Sequence, residues 1–230
     1  MRIGGFQRFS LIDYPGKISA VVFTQGCNFR CPYCHNPELV NFNEKATLIT
    51  TSYILDFLME RKDFLDGVVI TGGEPTLQAN LPHFMKELKS MNLSVKLDTN
   101  GSRPHMIKDL VSHKLVDYIA MDIKGPLRKY ARIVRRSLNL EDIKNSIEII
   151  MNSGLHYEFR TTLLPCLHSE HEIHDIGRLI EGAEHFCIQK FNPKNKTLDP
   201  AFQSERSFTY EELENFKEIM AAYVKKAIVR

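Results

Sequence analysis

ISAVVFTQGCNFRCPYCHNPEL, residues 18–39, runs from an apolar, strand-like segment (18–24) into a cysteine-rich loop shaped by Gly26, Pro32 and Pro37. The same order recurs along the chain. Further strand-like runs lie at 67–71, 93–98, 116–121, 156–162 and 186–191, which makes six. Between them Phe84, Met85, Leu88 and Met91, and then Leu140, Ile143, Ile147 and Ile150, put apolar groups on one helical face. Ser169 with Glu172, and Thr209 with Glu212, match the capping box of a helix start, and Gly154 suits a helix end.

Alternating strands and helices predict parallel strands joined by right-handed crossovers. A closed eight-unit barrel takes about 250 residues. Six units on 230 residues therefore predict an α/β fold of the partial, open (β/α)6 TIM-like barrel type, with a doubly wound sheet as the alternative. The expected organisation is a single domain, 1–230: an N-terminal extension over 1–17, six strand-helix units over about 18–192, and a C-terminal loop and helix over 193–230. In either architecture chemistry sits at the C-terminal ends of the strands.

Composition narrows the function. Lys and Arg total 30 against 28 for Asp and Glu, a net charge of +2, so there is no global electrostatic case for nucleic acid or an anionic membrane. No apolar run approaches the roughly 20 residues of a membrane span, and MRIGGFQRFSLIDYP lacks the features of a signal peptide, so a cytoplasmic protein is expected. Three of the five cysteines, Cys27, Cys31 and Cys34, fall within eight residues, which speaks for metal or redox chemistry rather than a disulfide framework. Three thiolates can hold three irons of a four-iron, four-sulfur cluster and leave the fourth iron open to a small molecule. On spacing alone, a structural zinc site completed by His35 or a distant residue is the competing reading.

Other strand ends carry polar groups. TGGEPTLQ presents Gly72 and Gly73, whose backbone can approach a ligand closely and offer N–H groups, and the carboxylate of Glu74. LDTNG and MDIKGP bring Asp98, Thr99, Asn100, Asp122 and Lys124 to the same mouth, where an Asp122–Lys124 pair is the structural alternative. Arg160 reads either as a buried ion-pair partner or as a contact to substrate or cofactor. Cys166 and Cys187 are too few for a second cluster and read as packing residues. His168, His171 and His174 read as a solvated helical face. Arg128, Lys129, Arg132, Arg135 and Arg136 form a basic run without an acid, which is either a solvated face or a docking surface for an acidic protein.

CNFRCPYC has the CxxxCxxC form, with an aromatic before the last cysteine, and resembles the radical S-adenosylmethionine superfamily. FSLIDYPGKISAVVFTQGCNFRCPYCHNPEL, GVVITGGEPTLQ, VKLDTNGS, LVDYIAMDIKGPL and YEFRTTLLP extend that resemblance over nearly the whole chain to the longer anaerobic ribonucleoside-triphosphate reductase activating proteins. CHN after the motif is similar to the pyruvate formate-lyase activases, so the wider group is the glycyl-radical-enzyme activases.

The resemblance implies one 4Fe–4S cluster per chain on Cys27, Cys31 and Cys34, and S-adenosylmethionine as the second cofactor. It implies reductive cleavage of that cofactor and transfer of the radical to a glycine of a partner, with anaerobic ribonucleotide reductase expected. By motif position Tyr33 and His35 lie against adenine, Glu74 holds the methionyl amino group, Lys124 its carboxylate, and Asp98 and Asn100 the ribose; Asp122 is carried with them. Arg30 offsets cluster charge. Asn192 stands where pyruvate formate-lyase activases have a histidine near the adenosine. No catalytic side chain is implied beyond the cluster and S-adenosylmethionine. A flavodoxin or ferredoxin is the implied electron donor, with no nucleic acid or membrane partner. The rival enzyme resembles the deazapurine carboxylate synthases and acts on a small molecule; a zinc-binding scaffold is the rival of another class. No role follows for 1–17, 192–207 or 128–136.

Overall fold

Val21, Val22, Val68, Val69, Ile70, Val95 and Leu97 are fully buried, as expected of parallel strands covered on both faces. They belong to a computed structural model that describes residues 1–41 and 48–230. All six expected strands form: β2 (Ser19–Thr24), β3 (Gly67–Gly72), β4 (Ser94–Thr99), β5 (Tyr118–Asp122), β6 (His156–Leu163) and β7 (His185–Lys190). Two more enclose them in the chain, β1 (Ile3–Ser10) and β8 (Lys226–Val229). The N-terminal extension thus carries a strand over Ile3–Ser10, and the C-terminal loop and helix end in another.

The described residues gather into two compact units. The first comprises Met1–Asn28, Glu38–Thr99 and His105–Ile119; the second comprises Phe29–Pro37, Asn100–Pro104 and Ala120–Arg230. Strands follow sequence order, with β1 to β4 in the first unit and β6 to β8 in the second, while β5 begins in one and ends in the other. Within the first unit β1 runs antiparallel to β2, with register shifts at two points. There β2, β3 and β4 are parallel, with Val21 opposite Val69 and Val69 opposite Lys96. Within the second unit β6, β7 and β8 are parallel.

Among the described residues ten helical segments connect the strands: α1 (Pro37–Val40), α2 (Thr51–Arg61), the 3-10 turn Pro75–Leu77, α3 (Leu81–Ser90), α4 (Pro104–Ser112), α5 (Leu127–Val134), α6 (Leu140–Met151), α7 (Glu170–Leu179), the 3-10 segment Pro200–Ser204 and α8 (Tyr210–Met220). Their buried faces follow the apolar spacing: Leu81, Phe84, Met85 and Leu88 on α3, and Ile143, Ile147 and Ile150 on α6. Burying each such side chain contributes roughly 1.5–3 kcal/mol. Both expected capping boxes form, Ser169 with Glu172 on α7 and Thr209 with Glu212 on α8. Gly154, at φ +71, turns the chain from α6 toward β6.

Candidate functional site

In the first unit the cysteine loop departs from the end of β2. The Gly26 N–H donates to the Leu39 carbonyl at 2.7 Å and the Cys27 N–H to the Val40 carbonyl at 3.0 Å, so the root of the loop is tied to α1. The turn after β3 closes onto the same root: the Gly73 N–H donates to the Thr24 carbonyl and the Glu74 N–H to the Gly26 carbonyl, each at 2.8 Å. The Gly73 amide is thereby spent on β2 and not left to face a ligand. The requirement for glycine is nonetheless strict. Gly72 sits at φ +110, and a Cβ there would lie 2.5 Å from the Thr24 nitrogen.

Glu74 is 1% exposed. Its Oε1 accepts from the Thr76 N–H at 3.1 Å, from the Thr76 hydroxyl, and from the Thr99 hydroxyl at 2.7 Å. Three donors on one oxygen fix the orientation of the carboxylate. Asp98 pairs with Lys96, whose side chain is 2% exposed and whose Nζ lies 5.8 Å from the centre of the Tyr118 ring. Sequence reasoning missed Lys96, although a lysine inside the apolar run of β4 is itself a sign of a buried partner.

In the second unit the Cys34 N–H donates to the Cys31 carbonyl at 3.1 Å, closing a tight turn. Cys31 is buried and Cys34 half-buried. Burial pushes the Cys31 thiol up to about 11, against the opposing pull of Lys124. The Tyr33 hydroxyl and His35 Nε2 are buried without a hydrogen-bond partner, and the His35 ring stacks on Phe191 with centroids 5.3 Å apart. Buried polar atoms left unpaired in this way are costly, and beside two thiols they fit a polar ligand.

At the end of β5, Asp122 takes both nearby cations, Arg160 from within β6 and Lys124 from just beyond β5. Arg160 Nε donates to its Oδ1 at 2.9 Å and Lys124 Nζ to its Oδ2 at 3.0 Å. Burial alone would raise the Asp122 carboxyl, but Arg160 and Lys124 outweigh it and hold it down at about 2. Burial acts to lower Lys124, and the Asp122 charge more than reverses this and keeps the ammonium protonated. The Lys124 ammonium lies close enough to the Cys31 sulfur to favour its thiolate. Tyr130, not singled out from sequence, accepts from the Lys124 N–H at 3.3 Å. The Asn100 side chain accepts from the Ser102 N–H, and that of Asn192 from the Lys194 N–H, so each shapes its own turn.

The candidates thus divide. Cys27, Gly72, Gly73, Glu74 and Asp98 belong to the first unit; Cys31, Tyr33, Cys34, His35, Asn100, Asp122, Lys124, Arg160 and Asn192 belong to the second. Among the described residues no three His, Cys, Asp or Glu side chains gather as ligands of a metal ion.

Two expectations need correction. His168 is not on a solvated face: it precedes the Ser169 cap, is 2% exposed, and its Nδ1 accepts from the Leu164 N–H while Nε2 lies 3.2 Å from the Lys124 carbonyl. With Nδ1 accepting, Nε2 carries the proton and donates. The basic run does not lack acids either. Arg128 pairs with Glu172 and Asp175, Lys129 with Glu172, and Arg135 with Asp199.

Burial pushes the His168 ring down to about 4 from the usual 6.5, against the opposing effects of the Lys124 carbonyl and Glu172. A depressed folded-state pKa contributes stability that is full above pH 6.5 and is lost as pH falls through about 4, here about 3 kcal/mol. Urea midpoints followed across that window are expected to fall more steeply for the wild type than for His168→Gln, and parallel profiles would contradict the assignment.

The family model described as Radical SAM superfamily matches residues 21–181. A protein of Methanocaldococcus jannaschii named as a glycyl-radical enzyme activating enzyme is 34% identical over 234 residues, covering 99% of this chain and 95% of that one. The pyruvate formate-lyase-activating enzyme of Staphylococcus aureus is 34% identical over 123 residues, 49% of each chain. Among solved structures, Streptococcus suis SuiB bound to S-adenosylmethionine superposes over 91% of this chain and 49% of its own, with a TM-score of 0.69 at 13% identity. The chain therefore spans about half the length of SuiB. At that identity the match speaks for the fold, an α/β architecture with an open sheet of parallel strands. No helix among the described residues is long and apolar enough to cross a membrane.

Proposed function

The chain belongs to the radical SAM superfamily and, within it, to the glycyl-radical enzyme activating enzymes; from that premise we propose that it generates a glycyl radical on anaerobic ribonucleotide reductase. The observation that carries the family reading is the relationship over 99% of the chain to an activating enzyme. The donor chemistry supports the rest. Cys27, Cys31 and Cys34 would hold a 4Fe–4S cluster, the second within electrostatic reach of the Lys124–Asp122 pair. A cluster held there would supply the one electron that splits S-adenosylmethionine into methionine and a 5′-deoxyadenosyl radical.

The chain's own residues bind and orient. Glu74, held rigid by Thr76 and Thr99, would take the methionyl ammonium, and Lys124 the carboxylate. Tyr33 and His35, with their buried unpaired polar atoms, would meet the adenine, and Asp98 and Asn100 the ribose. Asp122 would set the position of Lys124, and Arg160 would act through Asp122. Asn192 would stand at the adenosine end. A flavodoxin or ferredoxin would deliver the electron, in the cytoplasm, where thiols stay reduced.

The test is to incubate the reduced, cluster-loaded protein with S-adenosylmethionine and anaerobic ribonucleotide reductase and to record electron paramagnetic resonance. A glycyl radical doublet with one 5′-deoxyadenosine per radical is expected. A doublet only on another glycyl radical enzyme would replace the partner. No doublet on any candidate, with turnover of a small molecule, would overturn the activase reading.

A further inference from the structure

The segment 197–202 of the second unit lies along the turn that carries Cys34. The Asp199 N–H donates to the Pro32 carbonyl at 2.9 Å, and the Leu198 N–H to the Cys34 carbonyl at 3.1 Å. These two bonds fix the backbone on either side of Tyr33 and Cys34. The segment is itself held by a charge pair: Arg135 Nη1 donates to Asp199 Oδ2 at 2.7 Å. The other Asp199 oxygen accepts from the Ala201 N–H at 3.1 Å and caps the Pro200–Ser204 turn. The Arg135 guanidinium also lies 5.8 Å from the centre of the Phe202 ring, and Phe202 lies 6.4 Å from the ring of Tyr33.

Arg135 adopts φ +49, ψ +39, the left-handed conformation, at the end of α5. Glycine is the residue that takes this helix-ending position without steric cost, and a non-glycine residue there costs roughly 1–2 kcal/mol. A residue chosen only to end the helix would not be arginine. The strain is explained if the guanidinium is needed where the helix ends.

We propose that Arg135 and Asp199 are positioning residues that pin 197–202 across the cysteine turn and hold Cys34 ready for iron. The inference rests on the reading that Cys31 and Cys34 bind the cluster, and it assigns a role to a segment and to a basic residue that the proposed function leaves unused.

Arg135→Gly and Asp199→Asn separate this role from a merely structural one. Glycine relieves the left-handed strain, and asparagine keeps the cap on Ala201, yet both remove the ion pair. In the metal-free full chain, amide hydrogen exchange at Leu198 and Asp199 is expected to quicken by roughly three- to tenfold, the range for a partly exposed, charge-assisted pair. After anaerobic loading, iron loss to a chelator is expected to quicken by a similar factor. Thermal melting of metal-free Arg135→Gly should match or exceed that of the wild type.

Wild-type exchange and iron-loss rates in both variants would overturn the proposal, and so would iron loss that merely tracks a lowered melting temperature. A wild type that takes up no iron would instead overturn the cluster reading, while the exchange rates would still decide whether the pair pins the segment.

Discussion

Alanine at Cys27, Cys31 or Cys34 is expected to reduce bound iron from about four per chain to less than about one, and to lower S-adenosylmethionine cleavage by at least about a thousandfold. The size of the effect follows from the ligand count. Three thiolates for four irons leave one open position, and loss of a further ligand exposes a second iron to solvent and oxygen. Fold stability should change little by comparison. Cys31 is buried, but truncation to alanine removes only one sulfur atom, at about 1 kcal/mol. Cys166→Ala and Cys187→Ala serve as controls. Cys166 is exposed and Cys187 is buried on β7, and both should retain iron and cleavage. Iron and sulfide per chain, with 5′-deoxyadenosine by chromatography, decide the matter. A triple variant of Cys27, Cys31 and Cys34 that still formed 5′-deoxyadenosine would sink the assignment.

The central strands are readable because burial on both faces makes runs such as AVVF and GVVI continuously apolar. Strand β1 is not, for a physical reason. IGGFQRFS has two adjacent glycines and irregular burial, and its pairing with β2 slips register, so neither alternation nor a solid apolar run marks it. Strand β8 has four residues, none buried, and forms only because β7 offers it an edge.

The candidate site divides in the same way. Cysteine spacing, the two glycines and the acidic strand ends are local patterns and can be read from the chain. The partners that set their chemistry are remote. Arg160 lies 38 residues from Asp122, Thr99 lies 25 from Glu74, and the acids that pair with Arg128 and Arg135 lie 44 to 64 residues away. His168 escapes the helical periodicity because it precedes the Ser169 cap, in a turn where its N–H donates to the Leu164 carbonyl, and its side chain is buried.

Gly73→Ala is the second substitution expected to have a large effect, since it strikes two parts of the site through one atom. A Cβ at Gly73 would lie 2.2 Å from the Gly26 carbonyl oxygen, 2.7 Å from the Gly26 carbonyl carbon and 3.1 Å from the Leu39 oxygen. All three are backbone atoms, so no side chain can rotate away. Relief requires the turn after β3 to separate from the root of the cysteine loop. That breaks the Glu74 N–H bond to Gly26 and strains the Gly26 and Cys27 amides that tie the root to α1. Overpacking of this kind costs about 3 kcal/mol, and loss of a buried hydrogen bond adds about 1 kcal/mol. Displacement of the Glu74 carboxylate should weaken S-adenosylmethionine binding by roughly a hundredfold, the cost of losing a well-oriented charge-assisted contact. Gly154→Ala is the contrast. Its φ is +71, but a Cβ there meets nothing within 4 Å, so it should cost only about 1 kcal/mol and leave cofactor binding unchanged. Urea unfolding and equilibrium binding of S-adenosylmethionine to both variants test the difference. Near-wild-type stability and affinity in Gly73→Ala would mean that this turn does not support the loop root, and that the glycine is required for another reason.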